Sequence, residues 1–140
     1  MASLVKQLET EVSSWPHISV HPHQFMAREF RFDKAEVGHV HMGGMLDIPF
    51  TRTIRSVLLE EHLAEEHLWV PDSGWTTFHM RNSEDFEHAL WLMRLSYLRY
   101  TLKISPAPQE LLRQQAEHLH LNPRLTSLFG QFVRQPTLAE

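Results

Sequence analysis

The sequence predicts an α+β fold: an antiparallel sheet built from two hairpins, packed against helices, with a two-helix C-terminal tail. Three observations lead there. Residues 28–42 and 66–80 alternate apolar and polar side chains around turn residues. Each stretch is followed by apolar residues at helical spacing, over 51–64 and 83–103. Hairpins with helices after them, rather than strand–helix–strand alternation, imply an antiparallel sheet with helices laid against it.

Taken in order, Leu4, Val5, Leu8 and Val12 share one helical face, so residues 3–14 form a helix. It ends near Trp15-Pro16, because the residue before proline disfavours helix. Residues 18–25 contain Pro22, which confines any strand there to a sheet edge or breaks it. Strands at 28–33 and 36–42 flank the turn Asp33-Lys34-Ala35-Glu36. A two-residue or four-residue loop gives the same parity, with Phe32 facing Val37, Phe30 facing His39 and Arg28 facing His41. Gly43-Gly44 interrupts the second strand, and Met45–Ile48 forms a short strand or extended turn. Thr51 caps a helix running to about Ala64. The second hairpin pairs 66–70 with 75–80 around Pro71-Asp72-Ser73-Gly74. A long helix follows from Ser83 to about Lys103, then a linker at 105–108 and a short helix over 109–119. Asn122-Pro123 opens the last helix, which ends near Arg134. Residues 1–103 thus read as one α+β domain and 104–140 as a helical extension packed on it.

Composition narrows the function classes. A chain of 140 residues can bury a core without staples. There is no cysteine, so disulfides and thiolate metal sites are excluded, and a cytoplasmic location is expected. No apolar stretch is long enough to span a bilayer, and residues 1–15 carry no continuous apolar leader core. A net charge of −4 argues against nucleic acid as a partner. The 11 histidines stand out, since histidine titrates near neutrality and is the commonest metal ligand.

His39 and His41 are the leading candidates for chemistry. Two residues apart on a strand, they point to one side about 7 Å apart and can converge on one metal ion or one anionic group. Asp47 follows across Gly43-Gly44 and is placed to act as third ligand or as an orienter of the pair. Arg28 is the expected neighbour of His41. The pair shares its face with Phe30, Phe32 and Val37, so a hydrogen-bonded structural role competes with metal binding. Cupin, metallo-β-lactamase and zinc-deaminase patterns all fail here: no glutamate follows the pair at the required distance, position 43 is glycine, and cysteine is absent.

Ser73 and Trp75 belong to a turn that could present a hydroxyl or backbone N–H groups to an anion, although Pro, Asp and Gly chemistry accounts for the turn by itself. His67 and His79 fall on opposite faces of their hairpin if its loop is even. Glu29 falls on the face opposite His39. Trp15, His17, Pro22, His23 and Phe25 form an aromatic and histidine cluster, read as packing in preference to a pocket. No phosphate loop, flavin or nucleotide motif is present.

The ordered set Trp15-Pro16, Pro22-His23-Gln24-Phe25, Glu29-Phe30, Gly38-His39-Val40-His41, Leu46-Asp47-Ile48-Pro49-Phe50, Arg55, Pro71-Asp72-Ser73-Gly74-Trp75 and Arg94-Leu95-Ser96-Tyr97 resembles the bacterial and fungal luciferase-domain family. These are small proteins of largely unknown function. The resemblance covers residues 15–100 and includes His39, His41 and Asp47. Its name does not imply flavin chemistry, since a flavin luciferase is a barrel of about 250 residues. Three functions are weighed. The first is a small-molecule binding domain whose pocket, with Arg28, His39, His41, Asp47, Ser73 and Trp75, takes an anionic ligand. The second is an enzyme in which His39, His41 and Asp47 hold a divalent metal or act as acid and base. The third is an interaction module, a homodimer for example, built on the C-terminal helices.

Overall fold

Helix α1 (Leu4–Ser13) begins where the Ser3 hydroxyl accepts the Lys6 N–H, and it buries Leu8 and Val12. Strand β1 (Ile18–Pro22) and a 3-10 turn (Gln24–Met26) precede β2 (Arg28–Phe32), β3 (Ala35–Val40) and β4 (Met45–Pro49). Helix α2 (Arg52–Glu60) follows, then β5 (Glu65–Glu66), β6 (Trp75–His79), α3 (Ser83–Ile104), α4 (Pro108–His118), α5 (Pro123–Phe129) and a closing 3-10 turn (Gly130–Phe132). This computed structural model describes residues 3–67 and 73–133. Pro71-Asp72, most of the expected strand 66–70, the side chain of Phe25 and Arg134 lie outside them. The strands form one antiparallel sheet in the order β1-β2-β3-β4-β6-β5, so the fold is α+β as expected.

Helix α2 stops four residues before Ala64 for a local reason. His62 takes a left-handed φ of 58°. The Leu63 N–H then returns to the Leu58 carbonyl at 2.8 Å and the His62 N–H to Leu59 at 3.1 Å. That pair of bonds closes the helix end and turns the chain toward β5.

The chain divides into two compact units, residues 1–96 and 97–140, with the division inside α3. In the first unit, one sheet face carries Phe30, Phe32, Val40, Leu46 and Ile48, all buried. Helix α1 packs on β1 and β2, and α2 on β6. The amino-terminal part of α3 reaches this face at β3, where Met93 crowds Gly38 and the buried Ser96 hydroxyl donates to the Val37 carbonyl at 2.8 Å. In the second unit α4 packs with α5, Phe129 meets Phe132 edge to face at 5.8 Å, and Lys103 lies over the Tyr100 and Phe132 rings.

The β2–β3 register departs from the expected one. Phe32 pairs with Ala35 and Arg31 with Glu36 around a two-residue turn, but Phe30 then pairs with Gly38, Glu29 with His39 and Arg28 with Val40. Val37 is the extra residue of a β-bulge, and its freed carbonyl is the one that Ser96 holds. One inserted residue reverses the parity of everything beyond it. His39 therefore faces away from Phe30, and Glu29 lies directly across from His39 rather than on the opposite side. Arg28 leaves His41 and pairs with Glu9 of α1 at 3.5 Å.

The second hairpin changes in the same sense. Glu66 pairs with Thr76 and Glu65 with Thr77, a register shifted by an odd number of residues from the expected one. That register puts position 67 on the face of Thr77 and His79, not opposite to it. Gly74 closes the start of β6: its carbonyl accepts the Phe50 N–H at 2.8 Å, and a Cβ there would stand 1.6 Å from the Phe50 carbonyl oxygen. Gly43 has open space around its Cβ position. In chemical denaturation, Gly74→Ala is expected to lose about 3 kcal/mol, whereas Gly43→Ala changes stability by less than about 1 kcal/mol. Equal effects from the two would show that the close approach at Gly74 carries no constraint.

Candidate functional site

The sheet face opposite the helices carries one polar row across all six strands. His21 of β1 neighbours Glu29 of β2, then His39 of β3, Asp47 of β4, Thr77 of β6 and Glu65 of β5. Period-two alternation puts Arg31, His41, Met45, Trp75 and His79 on that same face. The bulge at Val37 adds Glu36, which a regular strand would turn away from a histidine three residues on.

Asp47 is the centre of the row and is 3% exposed. Its Oδ2 accepts from His39 Nε2 at 3.0 Å and from His41 Nε2 at 2.9 Å. Its Oδ1 accepts the Thr77 hydroxyl at 2.7 Å, and His67 Nε2 stands 3.6 Å away. His39 uses its second nitrogen as well, with Nδ1 donating to Glu36 Oε2 at 2.6 Å. Since an ionised carboxylate only accepts, these bonds place hydrogen on both Nε2 atoms and on His39 Nδ1.

The electrostatics follow from those partners. Burial opposes a charge on His39, but hydrogen bonds to Asp47 and Glu36 outweigh it and raise its pKa from 6.5 to about 9. Burial likewise opposes charge on Asp47, yet hydrogen bonds from His39, Thr77 and His41 hold its carboxyl well below the usual range. Both groups are therefore ionised near neutral pH.

Rings surround this network. His23 stacks on His39 at 4.2 Å, and Trp75 packs beside His39 at 5.5 Å and His67 at 5.9 Å. Ser73 holds the turn before β6, its hydroxyl accepting the Trp75 N–H at 3.1 Å. A cavity of about 100 Å³ adjoins Asp47, lined by Met45, Asp47, Glu65, Glu66, His67, Thr77 and His79.

Of the residues selected from sequence, His39, His41 and Asp47 come together, and Trp75 packs against them. Arg28 does not join them. His67, Glu29, Glu36 and His23 belong to this face, although sequence parity assigned the first two elsewhere and did not single out Glu36. The expected aromatic cluster divides: Trp15 is buried beneath the Arg94 guanidinium, His17 stacks on Phe32, and His23 goes to the polar face. The charge is also of the other sign from a site for anions. Glu29, Glu36, Asp47 and Glu65 face this side, while Arg31 is held by Glu29.

The first unit is thus a small antiparallel sheet domain with helices on one face and a histidine–carboxylate cluster on the other. Residues 34–96 match the family model described as the Luciferase domain, the family its motifs resemble. His39, His41, Asp47 and His67 lie inside the match, and His23 and Glu29 precede it. No curated protein and no solved structure matches the chain.

The His39–Asp47 pair makes stability depend on pH. A histidine with raised pKa stabilises the fold fully below about pH 6.5 and loses that contribution as pH rises through about 9, worth on the order of 3 kcal/mol. Asp47, with lowered pKa, contributes above about pH 4 and loses its contribution as pH falls below that. In chelator-treated buffer, the melting temperature should be highest between about pH 4.5 and 6.5 and fall on both sides. Asp47→Asn should flatten the alkaline fall. A wild-type curve level from pH 6 to 10 would refute the ion pair.

Proposed function

We propose that this chain holds a divalent metal ion on His39 Nε2, His41 Nε2 and the Asp47 carboxylate, and works on a small molecule bound at that ion. One observation carries the reading: two imidazole nitrogens lie 3.0 and 2.9 Å from a single buried carboxylate oxygen. Ligands bonded at 2.0–2.2 Å to one ion stand about 3.0–3.4 Å from each other, so each imidazole nitrogen already stands from the carboxylate oxygen at about the spacing of a coordination shell. Their ligand atoms all lie within 4.8 Å of one another. Two histidines and one carboxylate suit zinc, iron, manganese or nickel.

Three protein ligands leave positions open for water or for a substrate oxygen. In that role an ion lowers the pKa of bound water and polarises the atom it holds. The supporting shell comes from the chain. Glu36 fixes the His39 ring through Nδ1, Thr77 fixes Asp47 through Oδ1, and Trp75 limits access beside His39. The adjoining cavity offers room of a few water molecules' size, with His67 and His79 as groups able to move protons there. An acidic substrate would be drawn by the ion itself, which reconciles an anionic ligand with a face that holds four carboxylates and has no unpaired arginine among those described.

The test is direct. Chelator-treated protein should bind zinc with a rise in melting temperature, and His41→Ala or Asp47→Asn should weaken binding at least tenfold. Binding must displace the His39 proton, so apparent affinity should rise about tenfold per pH unit between pH 6 and 8. Protein that binds none of zinc, iron, manganese or nickel at millimolar concentration would leave a purely structural hydrogen-bond network.

A further inference from the structure

We infer that His39 bridges two metal ions, the second held by His39 Nδ1, Glu36 and His23. This rests on the reading of the first ion. Each nitrogen of the His39 ring is directed to its own set of ligands. Nε2 meets Asp47 at 3.0 Å beside His41, and Nδ1 meets Glu36 at 2.6 Å beside His23. The second set, His23, Glu36 and His39, brings its ligand atoms within 4.8 Å of one another, as the first set does.

An independent observation concerns His23. Its Nδ1 is buried and has no hydrogen-bond partner among the described residues. Buried polar atoms are almost always satisfied, and an ion shared with His39 and Glu36 would satisfy this one. On its other side His23 Nε2 faces Glu29 Oε1 at 3.7 Å, too long for a hydrogen bond but near enough for the carboxylate to favour a cationic or metal-bound ring. The rings of His23 and His39 lie nearly parallel, 14° apart. His23 must therefore tilt for its lone pair to meet an ion in the His39 plane. The side chain is 28% exposed and follows an edge strand, so it is free of the core packing that would oppose this.

The chemistry balances on the chain's own groups. His39 gives up the proton on Nε2 to the first ion and the proton on Nδ1 to the second, and becomes an imidazolate that donates one electron pair to each. Those two protons go to solvent, while His41 frees its Nε2 lone pair by carrying its hydrogen on Nδ1 instead. Asp47 and Glu36 exchange hydrogen bonds for metal bonds, and with the imidazolate they supply three negative charges to two dications. The ions would stand about 6 Å apart, one ring width plus two bonds of 2.0–2.1 Å.

Metal analysis of the full chain decides between the outcomes. Chelator-treated protein is loaded with zinc, freed of unbound ion and assayed for metal per chain, with folding checked by circular dichroism. Two equivalents are expected in the wild type, falling to one in His23→Ala and in Glu36→Gln. Loading with copper(II) should also give a spin-coupled pair, with the ordinary copper resonance lost from wild type and restored in both variants. One equivalent in the wild type, unchanged in both variants, overturns the bridge and leaves the proposed function standing. Two equivalents retained in both variants overturns it too, since the second ion would then sit elsewhere. No bound metal overturns both readings.

Discussion

The polar face depends on one buried negative charge. An ionised carboxylate taken out of water costs several kcal/mol unless it is fully bonded and paired. Asp47 meets that requirement with His39 and His41 from β3 and its margin, Thr77 from β6, and His67 close by. The strands that supply these partners adjoin β4, so satisfying the charge also sets the register of the middle of the sheet. A one-residue slip at β3 or β6 would leave the carboxylate buried without its partners. Charge satisfaction and strand pairing are thus one constraint.

A second feature makes the arrangement available. The bulge at Val37 lets β3 serve two masters: its early part follows the hairpin turn, and its later part presents Gly38 to α3 and His39 to the opposite face. Gly38 is small because Met93 is there, with the sulfur 2.9 Å from where a Cβ would stand. Ser96 compensates the carbonyl that the bulge removes from the ladder. The site geometry is thereby tied to helix packing on the other side of the sheet.

Much of this was legible in the residues. Apolar spacing located the helices, Thr51 and Asn122 marked helix starts, and Pro22 confined β1 to an edge. The Gly43-Gly44 turn brought Asp47 back to the histidine pair, a relation that depends only on chain geometry. Facing was not legible. Parity follows the count of residues between pairs, and a single bulge created by contact between Val37, Gly38 and α3 has no local signature. The same holds for His67, whose face follows a pairing register that the turn residues do not reveal. Glu36 and His23 escaped selection for related reasons, one turned by the bulge and the other placed by a 3-10 turn.

The division of the sheet into a helix-packed face and a polar face has an evolutionary side. Exchanged as a set, so that no buried charge is left unpaired, side chains on the polar face can change without disturbing Phe30, Val40, Leu46 or Ile48 behind them. A lineage can therefore shed its ligand set and keep its architecture, or install a different one on the same frame. Kinship in fold is then a poor guide to shared chemistry among such domains. The residues standing at positions 39, 41 and 47, with 23 and 36 beside them, are what would separate a metal-holding descendant from a purely structural one.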